Sequence, residues 1–101
     1  MTTLTERLRS RFPQLETRPS QFNGAPALWL DGREILHLHG DELEIRLTRK
    51  RIAARDDVGF WQRTRASDWV GLTAADEELV VELLAVAIDA NLPAPYTTPP
   101  R

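Results

Sequence analysis

Three short segments in the middle of the chain are rich in apolar residues, 27–30, 34–39 and 43–47, and apolar and polar residues alternate over much of the second and all of the third. Alternation with a period of two is typical of strands that bury one face of a sheet. Asp31-Gly32 and Gly40-Asp41 separate the segments, and glycine accepts the positive φ that two-residue hairpin turns require. The pattern therefore predicts three strands of an antiparallel meander.

A fourth strand is predicted at residues 68–72, where Val70 and Leu72 should point inward and Trp69 outward or lie at an edge. Among the remaining connections, residues 15–18 are predicted to be a short extended piece, residues 48–55 a helical turn and residues 56–64 irregular chain.

Helical spacing of apolar residues marks both ends of this strand region. Thr3 and Glu6 form a capping box ahead of the first helix, and Pro13 ends that helix. The second helix follows Asp76 and ends near Asn91. Its apolar stripe consists of Leu79, Val80, Leu83, Leu84, Ala87 and Ile88.

The order of elements is therefore helix, four strands and helix, or α-β-β-β-β-α. Only the two helices are available to bury the apolar face of the sheet, so we predict an α+β two-layer sandwich with the other sheet face open. Residues 1–92 are predicted to form this single domain. Residues 93–101 contain four prolines and are predicted to be a disordered tail.

Side-chain parity follows from the second hairpin turn. With Gly40 and Asp41 as loop residues, His39 opposes Glu42 and His37 opposes Glu44. The predicted core face then carries Leu36, Leu38, Leu43, Ile45 and Leu47. The predicted outer face carries Ile35, His37, His39, Glu44 and Arg46.

The only two histidines of the chain, His37 and His39, share this outer face. As metal ligands they would need one or two further converging groups, and of the nearby carboxylates only Glu44 is well placed, because Glu34 has the opposite parity. As a general base, either imidazole lacks a nucleophile in a recognisable catalytic context. The simpler interpretation is that His37 and Glu44 form a cross-strand pair.

Composition limits the class of protein. The chain has 101 residues, a formal net charge of −2 and no cysteine, which excludes disulfides, thiolate catalysis and zinc–thiolate sites. No apolar run reaches the roughly 20 residues of a membrane helix, and the amino terminus lacks the apolar core of a signal peptide. We expect a cytoplasmic protein without membrane contact, and the acidic balance disfavours nucleic acid as a partner.

Charge is unevenly distributed along the chain. Residues 46–65 hold seven basic residues and two acids, whereas residues 76–89 hold five acids and no base. Such blocks are usually solvated surface. The functional alternative is an anion-binding patch at residues 46–55.

The segment around the two histidines reads Gly32-Arg33-Glu34-Ile35-Leu36-His37-Leu38-His39-Gly40-Asp41. It is similar to the Arg-Glu-x-x-His-x-His-Gly-Asp core of the small bacterial luciferase-domain proteins, which the chain resembles from residue 12 to residue 91. Weaker similarities are Phe12-Pro13, Phe22-Asn23-Gly24 and Ser67-Asp68-Trp69-Val70. The resemblance implies a stand-alone domain without an established activity, and it implies no light emission.

The chain departs from that family at two places. It has Glu44-Ile45-Arg46-Leu47 where the family shows Asp-Leu-Pro-Phe, and Phe60-Trp61-Gln62-Arg63 stands where a histidine pair is usual. Any activity that needs those groups is in doubt here. By element order alone, the topology is also similar to that of the YjbR/MmcQ domains, whose fold resembles that of frataxin.

These observations predict a protein-interaction or ligand-binding module that uses the open sheet face, with no cofactor. Apolar and aromatic groups mixed with polar ones are typical of binding surfaces. The partner would be a second copy of the chain, another protein or an anionic small molecule. The alternative is a metal- or anion-dependent enzyme that uses His37 and His39. The candidate binding residues are His37, His39, Glu44, Arg46 and Trp69.

Overall fold

A computed structural model describes residues 3–55, 59–62 and 67–92. The predicted tail, residues 93–101, lies outside the described residues, as do parts of the segment predicted to be irregular. The elements in chain order are α1 Leu4–Arg11, β1 Glu16–Pro19, β2 Pro26–Leu30, β3 Arg33–His39, β4 Glu42–Arg46, α2 Arg49–Ala53, β5 Trp61–Gln62, β6 Trp69–Thr73 and α3 Glu77–Asn91.

The strands form one antiparallel sheet in the order β1-β2-β3-β4-β6-β5. Helices α1 and α3 contact its strands, and the α+β sandwich is therefore confirmed. The sheet has two strands more than predicted. Strand β1 is exposed at every position and β5 has only two residues, so neither shows the alternation that marks a half-buried strand.

Local sequence signals set the ends of the elements. Thr3 and Glu6 form the predicted capping box at α1. At the hairpin turns, Asp31, Gly32 and Gly40 adopt φ angles of 49°, 81° and 65°, and a positive φ carries no Cβ penalty at the two glycines. The helical turn predicted at residues 48–55 is α2.

The register of the second hairpin is confirmed residue by residue. His39 pairs with Glu42 and His37 with Glu44, as a two-residue loop at positions 40 and 41 requires. Most side chains of the inner face are buried in one core with the stripe of α3, while Leu38 and Leu79 are partly buried against that core, as expected for a sheet that buries one face. The largest fully buried side chains are Leu8, Leu15, Leu28, Ile35, Leu36, Leu43, Ile45, Leu47, Leu72, Leu83, Leu84 and Glu34.

A β-bulge in β3 makes two of the parity predictions wrong. Leu28 of β2 pairs with Leu36, but the next residue, Trp29, pairs with Glu34, so Ile35 is an extra residue without an opposite partner. An inserted residue inverts the alternation beyond it. Ile35 is therefore fully buried in the core rather than on the outer face, and Glu34 lies on the same face as His37.

Candidate functional site

His37 lies on the outer sheet face, as predicted, but it is buried rather than open to solvent. Only 5% of its surface is exposed. The ring of Phe22 lies 5.5 Å from the imidazole, centroid to centroid, and the ring of Trp69 lies 4.9 Å from it. The expectation of an uncovered imidazole is therefore wrong, because two aromatic side chains distant in sequence cover it.

Glu34 holds the loop that brings Phe22 over the histidine. Its carboxylate is 1% exposed and accepts hydrogen bonds from Ser20 Oγ at 2.5 Å and from the backbone N–H of Gln21 at 2.8 Å. Ser20 Oγ in turn accepts from the backbone N–H of Phe22 at 3.0 Å. This chain of bonds fixes residues 20–22, between β1 and β2, against the outer face.

The imidazole of His37 lies between two carboxylates. Nε2 is 3.0 Å from Glu44 Oε1, and Nδ1 is 3.0 Å from Glu34 Oε2. The Nε2 contact has the geometry of a hydrogen bond, whereas the Nδ1 contact is close but misaligned. A neutral imidazole has one N–H and can donate to only one of them, while the imidazolium can donate to both. A metal ion or a reacting group at either nitrogen would first have to displace a carboxylate.

A pocket of about 180 Å³ opens beside this histidine. Its walls combine aromatic faces with a carboxylate, an imidazole and a hydroxyl, from Phe22, His37, Glu44, Ser67 and Trp69. Phe22 and Trp69 meet edge to face, with centroids 5.7 Å apart. Ser67 Oγ donates to the backbone carbonyl of Trp69 and accepts from its N–H, which fixes the start of β6 at the mouth of the pocket.

Three of the five predicted candidate residues line this pocket, namely His37, Glu44 and Trp69. Arg46 lies next to it, with its guanidinium 5.9 Å from the centre of the Trp69 ring. His39 is exposed and does not line the pocket, so the structure does not bring the two histidines together into one site.

Sequence reasoning missed Phe22, Ser67 and Glu34. Phe22 and Ser67 lie in connections, where side-chain direction has no period from which it could be read. Glu34 was assigned to the wrong face because strict alternation was extended through Ile35 and Leu36, two consecutive apolar residues at which the pattern breaks and the bulge lies.

Two more tryptophans lie on the outer face. The Arg18 guanidinium lies 4.7 Å from the centre of the Trp29 ring. The indole of Trp61 lies across Gly71 of β6, where an added Cβ would fall 2.5 Å from the ring. Phe22 and Trp61 are large apolar side chains with substantial exposure, 60% and 48% respectively. Aromatic residues with exposed edges are enriched at interfaces that bind partners.

Three arginines of the predicted anion-binding patch lie near acidic residues. Their carboxylate partners lie on α3 and just before β6: Arg49 with Asp68 at 3.9 Å, Arg51 with Asp89 at 2.6 Å and Arg55 with Glu82 at 2.5 Å. Two of these pairs, Arg51 with Asp89 and Arg55 with Glu82, join the two charge blocks of the sequence. This arrangement favours the interpretation as solvated surface over an anion site.

Within residues 3–55, 59–62 and 67–92, three or more histidine, aspartate or glutamate side chains do not come together in a group that would hold a metal ion. In the same part of the chain, no helix combines the length and the apolar character needed to cross a bilayer. Comparison with protein families, with curated proteins and with solved structures finds no match to this chain.

Proposed function

We propose that the protein is a binding module and that the pocket beside His37 receives its ligand. The observation that carries this proposal is a pocket with two aromatic walls and a few polar groups, located on the sheet face that the helices leave uncovered. Apolar walls with a small number of placed polar groups are the usual composition of a ligand site.

The size of the pocket limits what enters it. Pockets for drug-sized ligands are roughly 300–1,000 Å³, whereas this one is about 180 Å³. Since the share of one water in the liquid is about 30 Å³, the space corresponds to about six waters. The ligand is therefore a compact molecule or one protruding group of a larger partner.

The chemistry of His37 supports binding over catalysis. General base catalysis and metal ligation both need an imidazole nitrogen that can reach the reacting atom or the ion. Both nitrogens of His37 instead lie 3.0 Å from a carboxylate, and His39 lies outside the pocket. The resemblance to the luciferase-domain proteins remains a prediction and adds no ligand to this proposal.

The test compares two tryptophans of the same sheet face. A library of small fragments of mixed charge is titrated against the labelled protein, and the indole N–H signals are followed by NMR. We expect the fragments that bind to shift the Trp69 signal and to lose affinity in Trp69→Leu. Trp29→Leu, a matched change outside the pocket, should bind as the unaltered protein does. Binding that is unaffected by Trp69→Leu, or no shift with any fragment, would refute the proposal.

A further inference from the structure

The pocket beside His37 has walls suited to one class of ligand. Resting on the proposed binding function, we infer that it takes a small organic cation, an ammonium group held between the aromatic faces and the carboxylate of Glu44. The inference is carried by the side chains that line the pocket and by the cations that already contact tryptophans of this face.

The aromatic walls favour positive charge. An aromatic ring has a negative face, and a cation within about 6 Å of its centre is attracted to it, most strongly for tryptophan. The structure already contains this interaction at two places on the outer face. Arg18 lies over Trp29 at 4.7 Å and Arg46 over Trp69 at 5.9 Å.

Acidic side chains flank the imidazole. Glu34 and Glu44 both approach His37 at 3.0 Å, which places two acidic groups beside a pocket that also has Arg46 next to it. Glu44 lines the pocket and its side chain is 22% exposed. A carboxylate has about four acceptor positions, so this group can accept from an ammonium N–H while it keeps its contacts within the protein.

The volume and the walls together define the group. About 180 Å³ is enough for an ammonium head with a few carbons, whose methyl or methylene groups would contact Phe22 and Trp69. Two sources offer this chemistry, a free amine and the lysine side chain of a partner protein. The experiment therefore includes one probe of each kind.

The probes are butylammonium, tetramethylammonium and a blocked Gly-Lys-Gly peptide, compared with neutral tert-butanol and with acetate. We expect the ammonium probes to shift the Trp69 indole signal at concentrations where tert-butanol and acetate do not. Binding of butylammonium but not of the peptide would indicate that the ligand is a free amine. Binding of the peptide would indicate that it is the lysine side chain of a partner protein. Both results support the ammonium class.

Glu44→Gln removes the charge while it keeps the shape of the side chain. Because a hydrogen bond to a charged group contributes about 1.5–3 kcal/mol, the affinity for butylammonium, which has N–H donors, should fall about 10-fold or more. Glu42→Gln is the matched control, since Glu42 lies two residues away on the same strand and face but outside the pocket. The affinity of this variant for the ammonium probes should stay within about twofold of that of the unaltered protein. Thermal unfolding of both variants checks that they are folded.

An equal loss of ammonium affinity in Glu44→Gln and Glu42→Gln would overturn the inference. Binding of tert-butanol or acetate at the pocket as tight as that of the ammonium probes would also overturn it, while the proposed binding function would stand. That comparison uses the unaltered protein and does not depend on how Glu44→Gln folds. If no probe shifts the pocket signals, the inference is wrong, and the fragment library then decides whether the proposed function is wrong as well.

Discussion

Replacement of Glu34 by glutamine tests whether this buried carboxylate holds the pocket together. Glu34→Gln keeps the side-chain volume and removes the charge from a group that is 1% exposed. The amide oxygen of the glutamine can still accept a hydrogen bond from Ser20 or from Gln21. The amide NH₂ then faces the other of these two donors, and no hydrogen bond forms between two donors. His37 also loses the carboxylate beside Nδ1.

The expected loss of stability follows from these contacts. Hydrogen bonds to a charged group contribute about 1.5–3 kcal/mol and neutral ones about 1 kcal/mol. One charge-assisted bond of Glu34 is lost and the other weakens, and relief of the cost of burying a charge offsets part of this loss. We expect a decrease of about 2 kcal/mol out of the roughly 5–15 kcal/mol typical of a domain of this size. The corresponding fall in Tm is about 10 °C.

Two measurements check the reasoning. Urea and thermal unfolding followed by circular dichroism give the free energy of unfolding. NMR of the Phe22 ring reports whether residues 20–22 still lie over His37, since the neighbouring aromatic rings shift its signals. Glu16→Gln removes the same charge from an exposed residue of β1 and should change stability by less than about 0.5 kcal/mol. A Glu34→Gln variant as stable as this control, with unchanged Phe22 signals, would refute the reasoning.

Three further substitutions test other parts of the fold. In Gly71→Ala the new Cβ would lie 2.5 Å from the indole of Trp61, so we expect the half-exposed ring to move away. Tryptophan emission should shift to the red and the free energy of unfolding should fall by about 1–3 kcal/mol; unchanged emission would contradict this. Thr48 has φ 77° and ψ 147°, a conformation that only glycine adopts readily, and Thr48→Gly should therefore raise the free energy of unfolding by about 1 kcal/mol; a lower Tm would count against it. The hydrogen bond from Arg7 lowers the pKa of Glu77, so the pair adds stability above the ordinary glutamate pKa, and this contribution is lost as pH falls through the lowered value. Both side chains are nearly half exposed, so the Tm difference between the unaltered protein and Arg7→Gln should be small at neutral pH and should disappear in acid. A Tm difference that grows in acid would contradict this prediction.

Properties that depend on neighbours in sequence were predictable for this protein. The turn at Gly40, the pairing of His37 with Glu44 and the capping box at Thr3 all follow from interactions over a few residues. Turn geometry and the two-residue period of a strand are local constraints, so they are visible in the chain before it folds. The sequence by itself therefore determined the α+β class, the meander and the side of the sheet on which His37 lies.

Only the tertiary structure decided what surrounds that histidine. Phe22, His37 and Trp69 come from a loop and two separate strands, and no pattern along the chain links them. The bulge that turns Glu34 to the same face arises from how β2 and β3 pair. The pairing of Arg51 with Asp89 likewise depends on where α2 and α3 lie. Each of these contacts joins segments that packing alone brings together, because burial of the shared core, and not local preference, fixes their relative positions.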